Sequence, residues 1–284
     1  MDAPIQRRRA GRPVVLYSPG LGGTRDSSSV LVEELVSRGY VVATIDHTHD
    51  SSPVEFPGGR VEAALPPLTP EVAAQAVAVR VADTRFVLDQ LTALNAGSNP
   101  DAEHRPLPDG LRGALDLSTV GMFGHSLGGA TAAQAMLEDP RIKAGVNLDG
   151  TLFGPVVAAG LDRPFVLVGA QGHRRDNDPS WAQFWANLRG WRLNLRLTGA
   201  AHTSFTDFQA LLPQIAGAIG LSPDGAQQLI GTIDPQRSII NQRAYVTVFF
   251  DLHLRHRDGR LLRNPLPRVP EMLFVPLVAE AQAA

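Results

Sequence analysis

The chain has 284 residues, with 26 basic and 28 acidic side chains and a formal net charge of -2. Hydrophobic residues at 44% and charged residues at 19% exclude a disordered chain, and the near-neutral balance leaves no electrostatic footprint for nucleic acid or an anionic membrane. There is no cysteine, which excludes disulfides, thiolate metal sites, iron–sulfur clusters and thiol catalysis.

Short apolar runs alternate with helix-forming stretches, the pattern of βαβ units in a mostly parallel sheet flanked by helices, an α/β chain. The first strand is expected at 13–18 (PVVLYS), followed by the glycine-rich turn Gly20-Leu21-Gly22-Gly23. A helix over 28–38 carries Leu31, Val32, Leu35 and Val36 on one face and stops at Gly39. A second strand follows at 40–46. The loop 47–70 holds five prolines and is a lid candidate. A helix is expected over 70–94, with Val77, Val81, Thr84, Leu88 and Leu91 at helical spacing.

Further strands are expected at 119–123, 144–148, 164–169 and 191–197, and helices just after Ser126, near 180–188 and over 238–255. The 191–197 strand alternates leucines with Arg192, Asn194 and Arg196, as suits one wet face near a sheet edge. These elements make a single domain over 13–262, with an N-terminal tail (1–12) and a Pro-rich C-terminal tail (263–284). No run approaches the roughly 18 apolar residues of a membrane span. Arg7, Arg8 and Arg9 precede an apolar stretch too short for an export signal. The chain as it stands is therefore expected in the cytoplasm, with secretion the alternative if an N-terminal segment has been removed.

Gly124-His125-Ser126-Leu127-Gly128 fits G-x-S-x-G between an apolar strand and a small-residue helix. This is the strand–elbow–helix setting of a serine nucleophile in an α/β-hydrolase. Ser126 needs small neighbours two residues away on each side, which Gly124 and Gly128 supply. A serine hydroxyl also needs a base, and the base an orienting acid, in the chain order Ser, acid, His. His202, in a small-residue loop after the 191–197 strand, is the expected base. His253 and His256 look like surface residues of a helix, and His173 comes too early.

Two places compete for the acid: Asp176 or Asp178 after the 164–169 strand, and Asp149 after the 144–148 strand. On residue logic they are near even. The oxyanion donors are expected to be the backbone N–H groups of Leu127 and, from the first glycine-rich loop, Leu21.

Five blocks occur in one order: Pro19-Gly20-Leu21-Gly22, Ile45-Asp46-His47, the 124–131 elbow, Asn147-Leu148-Asp149-Gly150, and 202–208 (HTSFTDF). Together they resemble the plasma-type platelet-activating-factor acetylhydrolases and their bacterial esterase and lipase relatives, over roughly residues 13 to 255. The resemblance implies Asp149 as the acid, supports Leu21 as an oxyanion donor, and implies no metal and no cofactor. It also implies N-terminal strands that are reduced here, since family members carry a hairpin before the first strand read above. Pro19 stands where the family usually has His.

Asp46-His47-Thr48-His49-Asp50 has no spacing of a known metal site and is expected to be a strand-end loop. Trp181 and Trp185 at helical spacing fit packing or an acyl pocket, and Phe153 is a further pocket candidate. The expected function is that of a serine carboxylic-ester hydrolase working through an acyl-enzyme. The resemblance implies short-chain esters or short-acyl lipids as substrates. Acyl transfer or thioester cleavage by the same residues is one alternative, and a non-catalytic binding module on a hydrolase scaffold is another. The expected partner is a small-molecule ester, without nucleic acid or stable membrane insertion. The sequence carries no signal for an oligomeric state.

Overall fold

A computed structural model describes residues 5, 10–63, 69–264 and 266–276 of the protein. Strand β1 (Arg12–Ser18) is apolar on both sides: Val14 and Leu16 enter one core cluster, Val15 and Tyr17 the other. Such a strand belongs in the middle of a parallel sheet. Its neighbours are β2 (Val41–Thr44) and β5 (Leu115–His125), both parallel to it. Beyond β5 lie β6 (Ile142–Leu148), β7 (Phe165–Gly169) and β8 (Arg192–Leu197), again parallel, and β9 (Met272–Phe274) pairs antiparallel to β8. The described sheet thus has seven strands in the order β2-β1-β5-β6-β7-β8-β9.

Helices α1 (Ser29–Ser37) and α8 (Pro235–Arg255) cover one face, burying Leu31, Leu35, Phe249 and Phe250 against Tyr17 and Phe123. The other face is covered by α2 (Pro70–Ala96), α3 (Leu127–Glu138), α4 (Val156–Ala159) and α5 (Pro179–Asn187). Two of these helices start with a side-chain cap followed by proline, a good first helical residue because its missing N–H has no role there. Thr69 caps α2 and Asp178 caps α5. Helices α6 (Phe208–Ile215) and α7 (Pro223–Ile230) follow the loop after β8. No helix among the described residues is long and apolar enough to cross a membrane.

Several expectations are corrected. The strand before the elbow starts at Leu115, not 119; a register shift against β1 at Pro13/Val14 lets the irregular 115–119 segment join the sheet. The 263–284 tail is not all surface chain, since Met272–Phe274 forms β9. At the other end, Arg12 opens β1. The β8 strand lies beside the edge strand β9, near the sheet edge as expected, but Asn194 on its supposedly wet side is buried, donating to the Leu167 carbonyl at 3.2 Å. The 47–70 loop contains a small hairpin, β3 (Val54–Glu55) with β4 (Val61–Glu62). Its residues 64–68, Arg7, Arg8 and Arg9 of the basic tail, and residues 277–284 lie outside the described residues. His253 is not a plain surface residue: its ring packs on Trp191 and Phe249, with centroids at 4.5 and 4.9 Å.

Candidate active site

The loops after β1, β5, β6, β7 and β8 all leave the sheet at its C-terminal edge, where open parallel sheets bind ligands. These loops carry Leu21, Ser126, Asp149, His173 and His202 in that order. They surround a cleft of about 760 Å³.

Ser126 has φ 54° and ψ -125°, the strained elbow expected between a strand and a helix. The two flanking glycines are required by contact. A Cβ on Gly124 would lie 2.2 Å from the Gly128 backbone, and one on Gly128 would lie 1.9 Å from the Ser18 carbonyl oxygen. The Ser126 N–H donates to the Leu148 carbonyl at 2.9 Å, which ties the elbow to β6.

Asp149 follows β6 with φ 60°. Asn147 holds this turn by donating to the Gly150 carbonyl at 2.6 Å and accepting the Gly150 N–H at 2.8 Å. The Asp149 carboxylate is buried and accepts three hydrogen bonds: His202 Nδ1 at 2.6 Å, His173 Nδ1 at 3.0 Å and the Ala170 N–H at 2.6 Å. Burial alone would raise its pKa. The hydrogen bonds from His173, His202 and Ala170 outweigh burial and hold it below the usual carboxylate value.

A carboxylate only accepts, so His202 Nδ1 carries the proton and Nε2 is left to accept from Ser126 Oγ at 3.0 Å. The His202 side chain is about half exposed, facing the cleft. Its backbone carbonyl accepts from His125 Nε2 at 3.0 Å. His125, the variable residue of the elbow motif, is buried beneath it. Desolvation, helped by the nearby His202, pushes its pKa down to about 3, so the ring is a neutral strut.

The β1 loop is held from below by Arg80 of α2. This fully buried guanidinium donates to the carbonyl oxygens of Pro19 and Gly20, to Ser18 Oγ and to the Asp50 carboxylate. The Gly22 N–H donates to the Asp50 carbonyl at 2.8 Å. With both carbonyls turned toward Arg80, the Leu21 N–H has no partner among the described residues, and neither does that of Leu127 at the first turn of α3. Leu21 and Leu127 both line the cleft beside Ser126.

The structure therefore brings Ser126, Asp149, His202, Leu21 and Leu127 together, and Phe153 lines the same cleft. Trp181 and Trp185 do not line it. Both are buried in the core of the α2–α5 face, where Trp181 Nε1 donates to the Gly150 carbonyl at 2.7 Å. Asp176 is half exposed and pairs with Arg174 at 2.9 Å, away from His202. Asp178 lines the cleft but bonds His173, whose Nε2 lies 2.8 Å from it, rather than His202.

The 46–50 loop uses its charges internally. Asp46 binds Arg25, His47 sits between Ser18 and Asp83, and Asp50 binds Arg80. The contributions of His173 and Arg80 are not apparent from sequence reasoning. The available signals were an arginine on the apolar stripe of α2 and a histidine five residues before a helix cap.

Residues 2–57 and 67–258 match the family described as platelet-activating factor acetylhydrolase, isoform II. A probable 1-alkyl-2-acetylglycerophosphocholine esterase of Arthroderma benhamiae is 34% identical, over 93% of this chain and 66% of that protein. A platelet-activating factor acetylhydrolase of Cavia porcellus is 26% identical, over 72% of this chain and 50% of that protein. The chain thus spans between half and two-thirds of the length of these curated relatives. Among solved structures, a ferulic acid esterase from Streptomyces cinnamoneus superposes with a TM-score of 0.79 at 36% identity, covering 95% of this chain and 75% of that one. The sheet order and the superposition make this an α/β-hydrolase fold, and the chain belongs to the platelet-activating factor acetylhydrolase isoform II family of serine hydrolases.

Proposed function

We propose that the protein hydrolyses carboxylic esters of short acyl chains, including short-acyl lipids, through a covalent acyl-enzyme. The observation that carries this reading is the continuous hydrogen-bonded line from Ser126 Oγ through His202 to Asp149, at 3.0 and 2.6 Å, opening on the cleft. In this reading Ser126 Oγ attacks the ester carbonyl carbon while His202 Nε2 takes the hydroxyl proton. Asp149 holds the ring in the right tautomer and stabilises the imidazolium. The N–H groups of Leu21 and Leu127 bind the oxyanion of the tetrahedral intermediate. His202 then gives its proton to the leaving alkoxide. A water molecule, deprotonated by His202, attacks the acyl-enzyme and releases the acid.

The half-exposed position of His202 favours water as the acceptor over a buried second substrate. Leu21, Ala73 and Phe153 give the cleft an apolar wall for an acyl group. Trp181 and Trp185 are packed into the core and add no surface to that wall. The test is hydrolysis of p-nitrophenyl esters of increasing acyl length by wild type and Ser126→Ala, together with labelling by a fluorophosphonate probe. The expected result is labelling of Ser126 and a rate that falls as the chain lengthens. Full turnover by Ser126→Ala would end the assignment. An unlabelled, inactive wild type would point to a binding module. Products captured on added alcohols in place of water would point to acyl transfer.

A further inference from the structure

Behind Asp149, on the side away from His202, lies a second histidine that the proposed chemistry does not use. His173 Nδ1 is 3.0 Å from Asp149 Oδ1, and His173 Nε2 is 2.8 Å from Asp178 Oδ2. A carboxylate is an acceptor, and a neutral imidazole has only one N–H to donate. An imidazole between two carboxylates satisfies both only as the imidazolium. The geometry thus extends the line at the site to Ser126–His202–Asp149–His173–Asp178.

The far end of this line is firmly anchored. Asp178 caps α5 by accepting the N–H groups of Ser180 and Trp181, and it also accepts the hydroxyls of Thr151 and Ser180. The His173 ring packs on Trp181, with centroids 4.1 Å apart. Trp181 is itself fully buried. Asp149 and Asp178 are the charged groups that face His173 from the packed elements. Its chain neighbour Arg174 is engaged with Asp176, and His202 meets it only through Asp149.

We propose that His173 is a positioning residue that clamps Asp149 against α5, fixing the carboxylate's orientation toward His202, and that turnover depends on the His173 ring keeping its proton. This rests on the triad reading given above. Burial works against that charge, but the hydrogen bonds to Asp149 and Asp178 dominate and raise the His173 pKa to about 9. Above that pH one of the two carboxylates faces a lone pair, and the clamp opens.

The test is the pH profile of kcat and KM on p-nitrophenyl acetate for the full chain, as wild type, His173→Gln and Asp178→Asn. Imidazole nitrogen NMR of the wild type gives a readout that does not depend on any variant folding. The expected wild-type result is two protonated nitrogens on His173 at neutral pH and an activity limb that falls near pH 9 with the same midpoint. Asp178→Asn, which keeps an α5 cap, moves that titration and that limb to lower pH. His173→Gln loses the limb, and kcat falls about tenfold with little change in KM, the scale of one charge-assisted hydrogen bond. A neutral His173 ring at pH 7, or three superimposable profiles, overturns the proposal. A Ser126→Ala variant that keeps turnover would instead sink the triad reading, and the His173 titration would still be measured.

Discussion

Arg80 and Asp50 form a two-point ion pair sealed beneath the loop that carries Leu21. Arg80 Nε donates to one carboxylate oxygen at 2.7 Å and Nη2 to the other at 2.5 Å, and the arginine side chain has no solvent exposure. The remaining guanidinium hydrogens hold the Pro19 and Gly20 carbonyls and the Ser18 hydroxyl. Five acceptors around one planar cation demand a fork, which lysine lacks.

Arg80→Met therefore leaves the Asp50 carboxylate buried without its cation and frees the loop carbonyls. The expected cost is about 3–5 kcal/mol of stability. Below its melting temperature the variant should also lose about 100-fold or more in kcat, because the Leu21 N–H is no longer held in place. Arg80→Lys should fall between the two. Chemical denaturation and kcat measured on the folded fraction test both halves. A folded Arg80→Met with wild-type kcat would separate the loop from catalysis.

Asp149 and Asp176 are distinguished by what they touch. The first is buried against His202 at 2.6 Å, and the second is half exposed and paired with Arg174. Asp149→Asn should lower kcat by about 10⁴, as removal of the orienting carboxylate does in a serine triad. Asp176→Asn removes only an exposed ion pair and should leave kcat/KM nearly unchanged, since such pairs are worth about 0–1 kcal/mol. Steady-state kinetics on one short ester decides between them, and the reverse pattern would transfer the acid role to the β7 loop.

What the sequence reveals and conceals at this site follows the range of the interactions. The elbow is a local device. Gly124, Ser126 and Gly128 sit within five residues, so their chemistry shows in a short motif. His202 is legible because a lone histidine in a small-residue loop after a strand has few other uses. The acid is ambiguous from residues alone, because Asp149 before Gly150 reads equally well as a turn; only family resemblance separates it from Asp176 and Asp178.

His173 is concealed for a related reason. Its partner Asp149 becomes a neighbour only because β6 and β7 lie side by side, with Leu148 opposite Val168. Trp181 and Trp185 show the limit of periodicity. Their spacing gives a helix face but does not say whether that face meets the cleft or the core. The three-residue β9 is too short to leave any periodic trace.

The elbow glycines predict a sharp contrast with a glycine elsewhere in the same cleft. Gly128→Ala puts a methyl 1.9 Å from the Ser18 carbonyl oxygen, and Gly124→Ala puts one 2.2 Å from the Gly128 backbone. Neither neighbour is a flexible side chain, so β1, β5 or α3 must shift. Each variant should lose about 4 kcal/mol or more, beyond the range of ordinary substitutions. At Gly172, also on the cleft wall, an added Cβ meets nothing within 4 Å. Gly172→Ala should stay within about 0.5 kcal/mol of wild type. Urea midpoints for the three variants test this, and a stable Gly128→Ala would contradict the packing described here.

The buried imidazoles set the pH dependence of stability in opposite directions. Burial, with a contribution from His202, pushes the pKa of His125 down to about 3. Burial, with a contribution from His256, takes His253 to about 4, and burial also lowers His47. The unfolded chain protonates these rings from the ordinary histidine value of 6.5, whereas the folded chain resists, so folded stability is lost as the pH falls below 6.5. His173 behaves oppositely. Its folded ring keeps the proton up to about 9, so its contribution is complete below 6.5 and is lost as the pH rises toward 9. Each proton of difference changes stability by about 1.4 kcal/mol per pH unit. The melting temperature should therefore peak near pH 6.5 and decline on both sides. His173→Gln should remove the decline between 6.5 and 9 while leaving the acid side as it was. Calorimetric scans from pH 4 to pH 9.5 measure both limbs, and a wild-type melting temperature that rises between pH 6.5 and 9 would contradict a charged His173 in the folded state.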